Sequence, residues 1–472
     1  MTKSEHWIAE CCRQRLAKEP KLNYSEYMKD ILNLRYVLFL AVTVALGGLL
    51  FGFDIAIITG AGQFLAEHFH LNDLSLGLTY SSLLFGCVVG SAFAGYIADR
   101  FGRKAPLLWV AALFALTSAA TGLAPTFNCF LLARFIGGLA VGGISILAPM
   151  YIAEIAPPKL RGRLCACYQL AIVVGILASF LINYLLRDSG EWNWRWMFMT
   201  GILPSAVFFG LLFGTPETPR YLLKIGKEKE SFDILLRIFG PTEAKRELNE
   251  IQASLTAKGT GWRELTKGGM PRALLVGFGL AVLVHFSGIN TIIDYAPLIF
   301  KSAGFKMDAA LFSTFGIGVC NFLFTLVSFW TIDRFGRKPL YLIGSTGMTI
   351  VLALLAVAVR WGHFTGMTVL VLILSYIAFF AACIGPVFWT LVPEIFPNRV
   401  RGEAMTVPVL TQWVANAIVV LFFPSMFHQI GKDFTFVLLG VMALLQAVFT
   451  WALVPETKGK SLEEIEQFWQ TK

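Results

Sequence analysis

The sequence predicts an all-α integral membrane protein of twelve transmembrane helices arranged as two six-helix halves. Three observations predict it. Of 472 residues, 56% are hydrophobic and only 15% are charged, against about 25% charged in an ordinary soluble domain. The apolar residues are gathered into twelve long runs. Short motifs also recur at a near-constant offset along the chain.

The composition excludes several other classes. Two or three soluble domains of this total size would need more charge to clothe their surfaces, and the chain is too apolar for disorder. Eight cysteines in 472 residues are too few for a disulfide scaffold. The formal net charge of +9 does not mark a nucleic-acid binder, because the basic residues follow the topology of a membrane protein, as described next.

A hydrocarbon core about 30 Å thick requires roughly 20 apolar residues per helix. Apolar runs between charged or Gly/Pro breaks place the first six spans at 37–61, 77–98, 106–123, 129–152, 164–186 and 196–214. The second six fall at 274–300, 309–332, 339–359, 367–391, 404–426 and 434–454. The runs are continuous rather than alternating, which favours helices over strands. This divides the chain into a tail (1–36), an N-terminal bundle (37–214), a polar linker (215–273), a C-terminal bundle (274–454) and a second tail (455–472). The linker holds eleven Lys/Arg and reads as short amphipathic helices. The first tail holds seven Lys/Arg and no apolar run long enough for a secretory signal peptide.

With the N-terminus inside, cytoplasmic segments hold 32 Lys/Arg and outer loops hold 6, while Arg134 lies within a span. That asymmetry predicts a multi-pass protein of the cell membrane with both termini cytoplasmic. DRFGRK occurs at 99–104 and at 333–338. AEIAPPKLRG, carrying Glu154 and Arg161, recurs as PEIFPNRVRG with Glu394 and Arg401. PETPR at 216–220 matches PETKG at 455–459, and Gly52-Phe53-Asp54 stands against Gly288-Ile289-Asn290. The offsets, 234 to 240 residues, imply two homologous halves. Transporters are often built from such repeats, with substrate bound near the midplane where the halves meet.

The two DRFGRK loops, PETPR after the sixth span, RFIGGLAVGG in the fourth and PETKG after the twelfth resemble the sugar porter family of the major facilitator superfamily. The resemblance runs from about residue 37 to 460. It implies the major facilitator fold and alternating access to a small-molecule site.

Ionisable groups at mid-bilayer cost about 2.5–3.5 kcal/mol and are functional by default. Three fall within spans: Asp54, Arg134 and Asp294. Asp54 and Arg134 have opposite sign and share one half, so pairing is the cheapest way to bury both. The family's proton symporters carry an aspartate and an arginine at matching positions, which implies proton coupling. Arg134 cannot release its proton, so Asp54 is the titrating partner. The alternative is a permanently ionised bridge between helices.

A sugar site needs donors, acceptors and aromatic faces. At the family's positions stand Gln169, Asn290, Asn321, Gln412 and Asn416, with Trp389 and Trp413. Gln412 and Asn416, spaced i, i+4, share one helix face. The alternative role for such amides is interhelical hydrogen bonding. The seventh span departs from the family pattern: Val284-His285 replaces a Gln-Gln pair, and Asp294-Tyr295 replaces Tyr-Tyr. His285 and Asp294 are therefore candidate substrate contacts that put the identity of the sugar or polyol in question. Asp294, which replaces an outer-gate aromatic of the family, is equally a candidate for a solvated gate residue.

The resemblance also implies a cytoplasmic gate of salt bridges within and between halves, formed by Asp99, Arg103, Glu154, Arg161, Arg163, Glu217, Asp333, Arg337, Glu394, Arg401 and Glu456. Asp99 and Asp333 are expected to take up a neighbouring helix N-terminus or the following arginine. The alternative is that these charges only enforce topology. Cys165-x-Cys167 and His68-x-His70 lack a partner set for a metal. No phosphate-cradling loop is present, and no constellation suggests an enzyme, so no cofactor or metal is expected.

The expected partners are a small sugar or polyol, a proton and the bilayer, with no nucleic acid and a monomeric state. The leading expectation is proton-coupled import. Passive facilitated transport is the first alternative. A transporter-like nutrient sensor is the second, and tails of 36 and 18 residues speak against the long extension such sensors carry.

Overall fold

The computed structural model describes residues 24–157, 160–256, 265–397, 401–460, 464–465 and 468–469. Among the described residues, twelve helices are long and apolar enough to cross a membrane. In chain order they are α1 (Tyr24–Phe69), α2 (Asp73–Phe101), α3 (Lys104–Gly122), α4 (Phe127–Ile155), α5 (Arg161–Leu186) and α6, in two pieces (Asn193–Met199 and Ile202–Phe213). The second half repeats them. It comprises α7 in three pieces (Met270–Phe286, Ile289–Asp294, Ala296–Ser302), α8 (Met307–Phe335), α9 (Arg337–Arg360), α10 in two (Gly366–Cys383, Gly385–Glu394), α11 (Arg401–Ser425) and α12 (Lys432–Leu453). Eight of the twelve expected runs fall wholly within these helices, and the runs ending at 123, 214, 426 and 454 pass the helix end by one residue. The linker holds a short helix, Pro219–Lys224, and a longer one, Glu228–Thr256, broken at Gly240, where φ is 76°.

Local chemistry sets the boundaries. Asn72 caps α2 by accepting the Ser75 N–H at 2.9 Å, and Thr126 caps α4 by accepting from Cys129 at 3.3 Å. Gly288, with φ of +89°, breaks α7 just before Asn290. In α10, Gly385-Pro386 makes the corresponding break. Both breaks re-aim side chains toward the centre of the bundle.

The halves pack by the same plan. In the first, α1 lies on α5, α2 on α4, and α3 on α4 and α6. In the second, α7 lies on α11, α8 on α10, and α9 on α10 and α12. The main contacts between halves, α2 with α11 and α5 with α8, exchange into one another under the six-helix repeat. Within the glycine-rich α4, Gly138 lies against the Leu83 carbonyl, while Gly86 of α2 faces the Phe135 carbonyl. A methyl at either would strike backbone, so small residues set the α2–α4 distance.

Candidate functional site

A cavity of about 160 Å³ lies between the halves. Gln169 enters it from α5, His285 and Asn290 from α7, Asn321 from α8, Trp389 from α10, and Gln412 and Trp413 from α11. Seven of the nine residues expected at the site thus meet at one place. Asn416 and Asp294 are buried outside its lining. Sequence reasoning passed over Phe51, Ile176, Phe380, Phe388 and Thr325, which also line the wall. Their types give no signal, because every span is rich in them.

The cavity carries polar atoms without partners. His285 sits beside Gln412, yet neither ring nitrogen is in hydrogen-bonding geometry, and the Trp413 indole N–H is also unpaired. Unpaired donors and acceptors facing a cavity are what a polyhydroxylated ligand would satisfy. Trp413 is held in place by Phe51 across the halves, with ring centroids 5.7 Å apart.

Gly52 and Ile55 of α1 line the cavity, and Asp54 between them turns the other way, toward α4. Its Oδ1 accepts from Arg134 Nη1 at 2.7 Å, and its backbone carbonyl accepts from Nη2 at 3.0 Å. The Arg134 side chain is 2% exposed and that of Asp54 13%. Phe198 of α6 covers the guanidinium at 5.2 Å. The pair is therefore shielded from bulk water and lies within one helical turn of the cavity wall.

At the end of the bundle opposite the basic loops, the halves are pinned together. Arg187 at the end of α5 donates to Asp308 of α8 at 2.9 Å, and His428, just past α11, meets Asp73 of α2 at 2.7 Å. Deeper in, Tyr80 of α2 packs on Tyr295 of α7 at 4.2 Å, and Tyr295 stacks on Phe423 of α11. Asp294, 5% exposed, lies in this layer.

The chain matches the family described as "Sugar (and other) transporter" over residues 40–469. It belongs to the sugar transporter family. It is 40% identical to the arabinose-proton symporter of Bacillus subtilis (strain 168) over 441 residues, covering 92% of this chain and 95% of that one. It is 38% identical to the D-xylose-proton symporter of Escherichia coli (strain K12) over 480 residues, covering 93% and 96%. Among solved structures, the xylose transporter XylE from E. coli in a partially occluded inward-open conformation superposes with a TM-score of 0.82. The two share 36% identity, over 90% of this chain and all of that one.

At the basic end of this sugar transporter, each half builds the same network. Arg103 donates through Nε and Nη2 to Glu154 Oε1, at 3.1 and 2.8 Å. Arg337 grips Glu394 with both oxygens engaged, at 3.1 and 3.0 Å. Lys104 Nζ donates to the Phe213 carbonyl at the end of α6, and Lys338 Nζ to the Trp451 carbonyl near the end of α12. Each of these contacts stays within one half.

Of the two partners expected for Asp99, a neighbouring helix N-terminus or the following arginine, the structure shows Arg103 at 3.9 Å and not the N-terminus of α3. Glu217 receives the backbone N–H groups of Arg103 and Lys104, and Glu456 receives those of Arg337 and Lys338. Asp99 also pairs with Lys224 at 3.2 Å. Arg163 is exposed at this end. The side chains of Arg161, Asp333 and Arg401 lie outside the described residues.

Proposed function

We propose that this sugar transporter imports a monosaccharide or polyol together with a proton by alternating access, as a monomer with both termini and the basic loops in the cytoplasm. The Lys/Arg asymmetry supports that orientation, and the relatives named as arabinose-proton and D-xylose-proton symporters support the pairing of sugar with proton. The single observation that carries the reading is the Asp54–Arg134 pair, buried on the same turn of α1 whose Gly52 and Ile55 line the cavity.

The chemistry follows from charge. With Asp54 ionised the two charges cancel, and burial is tolerable. A proton on Asp54 leaves Arg134 uncompensated, which favours a conformation where the guanidinium finds water or another acceptor. Proton occupancy thus biases the rocking of the halves. Gln169, His285, Asn290, Asn321 and Gln412 would bind hydroxyls, and Trp389 and Trp413 would supply apolar faces. Asp294 and Asn416 would reach substrate only after the opposite end opens. The Arg103–Glu154 and Arg337–Glu394 networks would rearrange to close the cytoplasmic end.

Purified protein in proteoliposomes tests this with a panel of pentoses, hexoses and polyols, with and without an imposed pH gradient. Wild type accumulates one class of sugar with the gradient and alkalinises the outer medium. Asp54→Asn loses accumulation and keeps exchange of sugar across the membrane. Undiminished uphill accumulation by Asp54→Asn would overturn the coupling role, and uptake without alkalinisation would point to passive transport.

A further inference from the structure

We propose that Asp294 is a second proton-binding site, separate from the Asp54–Arg134 pair, and that its protonation permits the outer gate to close. The outer end is the one opposite the basic loops, as in the orientation proposed above.

The argument rests on where Asp294 lies and what surrounds it. It ends the middle piece of the broken α7, at the layer where Tyr80 of α2, Tyr295 of α7 and Phe423 of α11 stack across the halves. It is 5% exposed. Among the described residues it has neither an ion pair nor a hydrogen bond.

The ionisable groups facing it offer no compensation. Tyr80 and Tyr295 can only be neutral or negative, and the Tyr295 hydroxyl already donates to the Val420 carbonyl at 2.9 Å. Arg134 of α4 is the cation within electrostatic reach, and Asp54 of α1 already holds it. On α10, the Tyr376 hydroxyl donates to the Ser287 carbonyl at 2.9 Å and carries no positive charge. On α11, Val420 accepts from Tyr295 and Phe423 stacks on it, and neither is charged.

A carboxylate only 5% exposed in such a layer, without a cation or an N–H donor, is disfavoured, whereas the neutral acid is tolerated. The gate therefore closes over the protonated form. When the halves part at the outer end, water reaches Asp294 and the ionised form becomes affordable. By linkage, one proton taken up on closure changes the closed-to-open ratio by up to about tenfold per pH unit. Acid outside favours closure, which is the direction that suits inward transport down a proton gradient.

Two measurements on the full chain in lipid nanodiscs test this. The first is infrared spectroscopy of the carboxylic C=O stretch at neutral pH, with Asp54 left in place so that Arg134 stays paired. The protonated-carboxyl band loses intensity on Asp294→Asn. A band unchanged by that substitution overturns the proposal.

The second is a distance between spin labels at Leu74→Cys and Ile430→Cys, followed against pH. Both arms carry His428→Gln, so that the Asp73–His428 pair cannot supply the response. The parent shows a closed fraction that rises as pH falls, and Asp294→Asn stays closed with no pH slope. Asp294→Glu retains a slope, and Asp294→Ser serves as a second neutral variant should the asparagine fail to reach the membrane. A wild-type slope in the neutral variants overturns the proposal. Neither readout depends on sugar flux, so failure of Asp54 as the coupling residue would leave both intact.

Discussion

The carboxylate of Glu217 accepts the backbone N–H of Arg103 through both oxygens, at 2.9 and 3.1 Å, from 114 positions away in the chain. The neighbouring Lys104 N–H joins it at 3.1 Å. The DRFGRK turn and the PETPR segment are thus two parts of one structure, an anion seated on the start of α3. Gly102, with φ of +84°, lets the chain turn, and a methyl there would collide with that carboxylate. In the second half Glu456, Arg337, Lys338 and Gly336 repeat the arrangement. Such a joint ties α2, α3, α4 and α6 into a unit that can rock without coming apart.

Removing that anion should destabilise the fold. Glu217→Ala leaves three backbone donors, those of Arg103, Lys104 and Thr218, without their acceptor, at a cost of about 1–2 kcal/mol. Gly102→Ala should cost at least as much, since it adds strain and a collision. Gly95→Ala is the control, because a Cβ there meets nothing within 4 Å. Thermal melts in detergent should rank Gly95→Ala at or above wild type and the other two below. A Gly102→Ala melt equal to wild type would refute the account of the turn.

Gly77 of α2 should control closure of the outer end. A side chain there would meet the Leu421 carbonyl of α11, backbone of the other half. The obstacle exists only when the halves meet, so Gly77→Leu should hold the protein open outward. The expected result is retained sugar binding from outside with transport reduced by tenfold or more. Equilibrium binding and proteoliposome uptake measured on the same preparation decide it; normal uptake by Gly77→Leu would show that the α2–α11 contact is not obligatory.

Single amides in the cavity should affect sugar affinity in proportion to the hydrogen bonds they make. Loss of one hydrogen bond to an uncharged group costs about 0.5–1.5 kcal/mol. Gln169→Ala and Gln412→Ala should each raise KM by roughly two- to twelvefold, with folding retained. His285→Gln with Val284→Gln should reorder the preferred sugars, because it changes the donors α7 presents. An unchanged ranking across a panel of pentoses and hexoses would remove α7 from the specificity determinants.

The twelve spans and the two-half plan were legible in the sequence because hydropathy and repeated motifs are long-range statistical signals. The cavity was also legible in large part, since amides and tryptophans are rare enough within lipid-facing helices to stand out. Three kinds of information were not. Phe380 and Phe388 line the cavity but look like any other apolar residue. The role of Glu217 depends on a backbone amide, and backbone groups leave no mark in sequence. Asp294 was visible as an anomalous charge at an outer-gate position of the family, but only three-dimensional packing sets it in the layer of Tyr80, Tyr295 and Phe423 rather than among the cavity residues.

The ion pairs that join the halves at the outer end should set the balance between the two facing states. Arg187 donates to Asp308 at 2.9 Å, although the Asp308 side chain is 70% exposed. A pair this exposed contributes little, because solvent and salt screen it. Asp308→Arg replaces attraction with repulsion, and should shift the population outward by up to about fivefold. Arg187→Asp added to it restores opposite signs and should bring most of the population back. Spin-label distances across the outer end, compared at low and high salt, measure both steps, and the shift should shrink as salt screens the charges. If the double variant stays as far outward as Asp308→Arg, the interaction acts through local helix structure at the start of α8 and not across the interface.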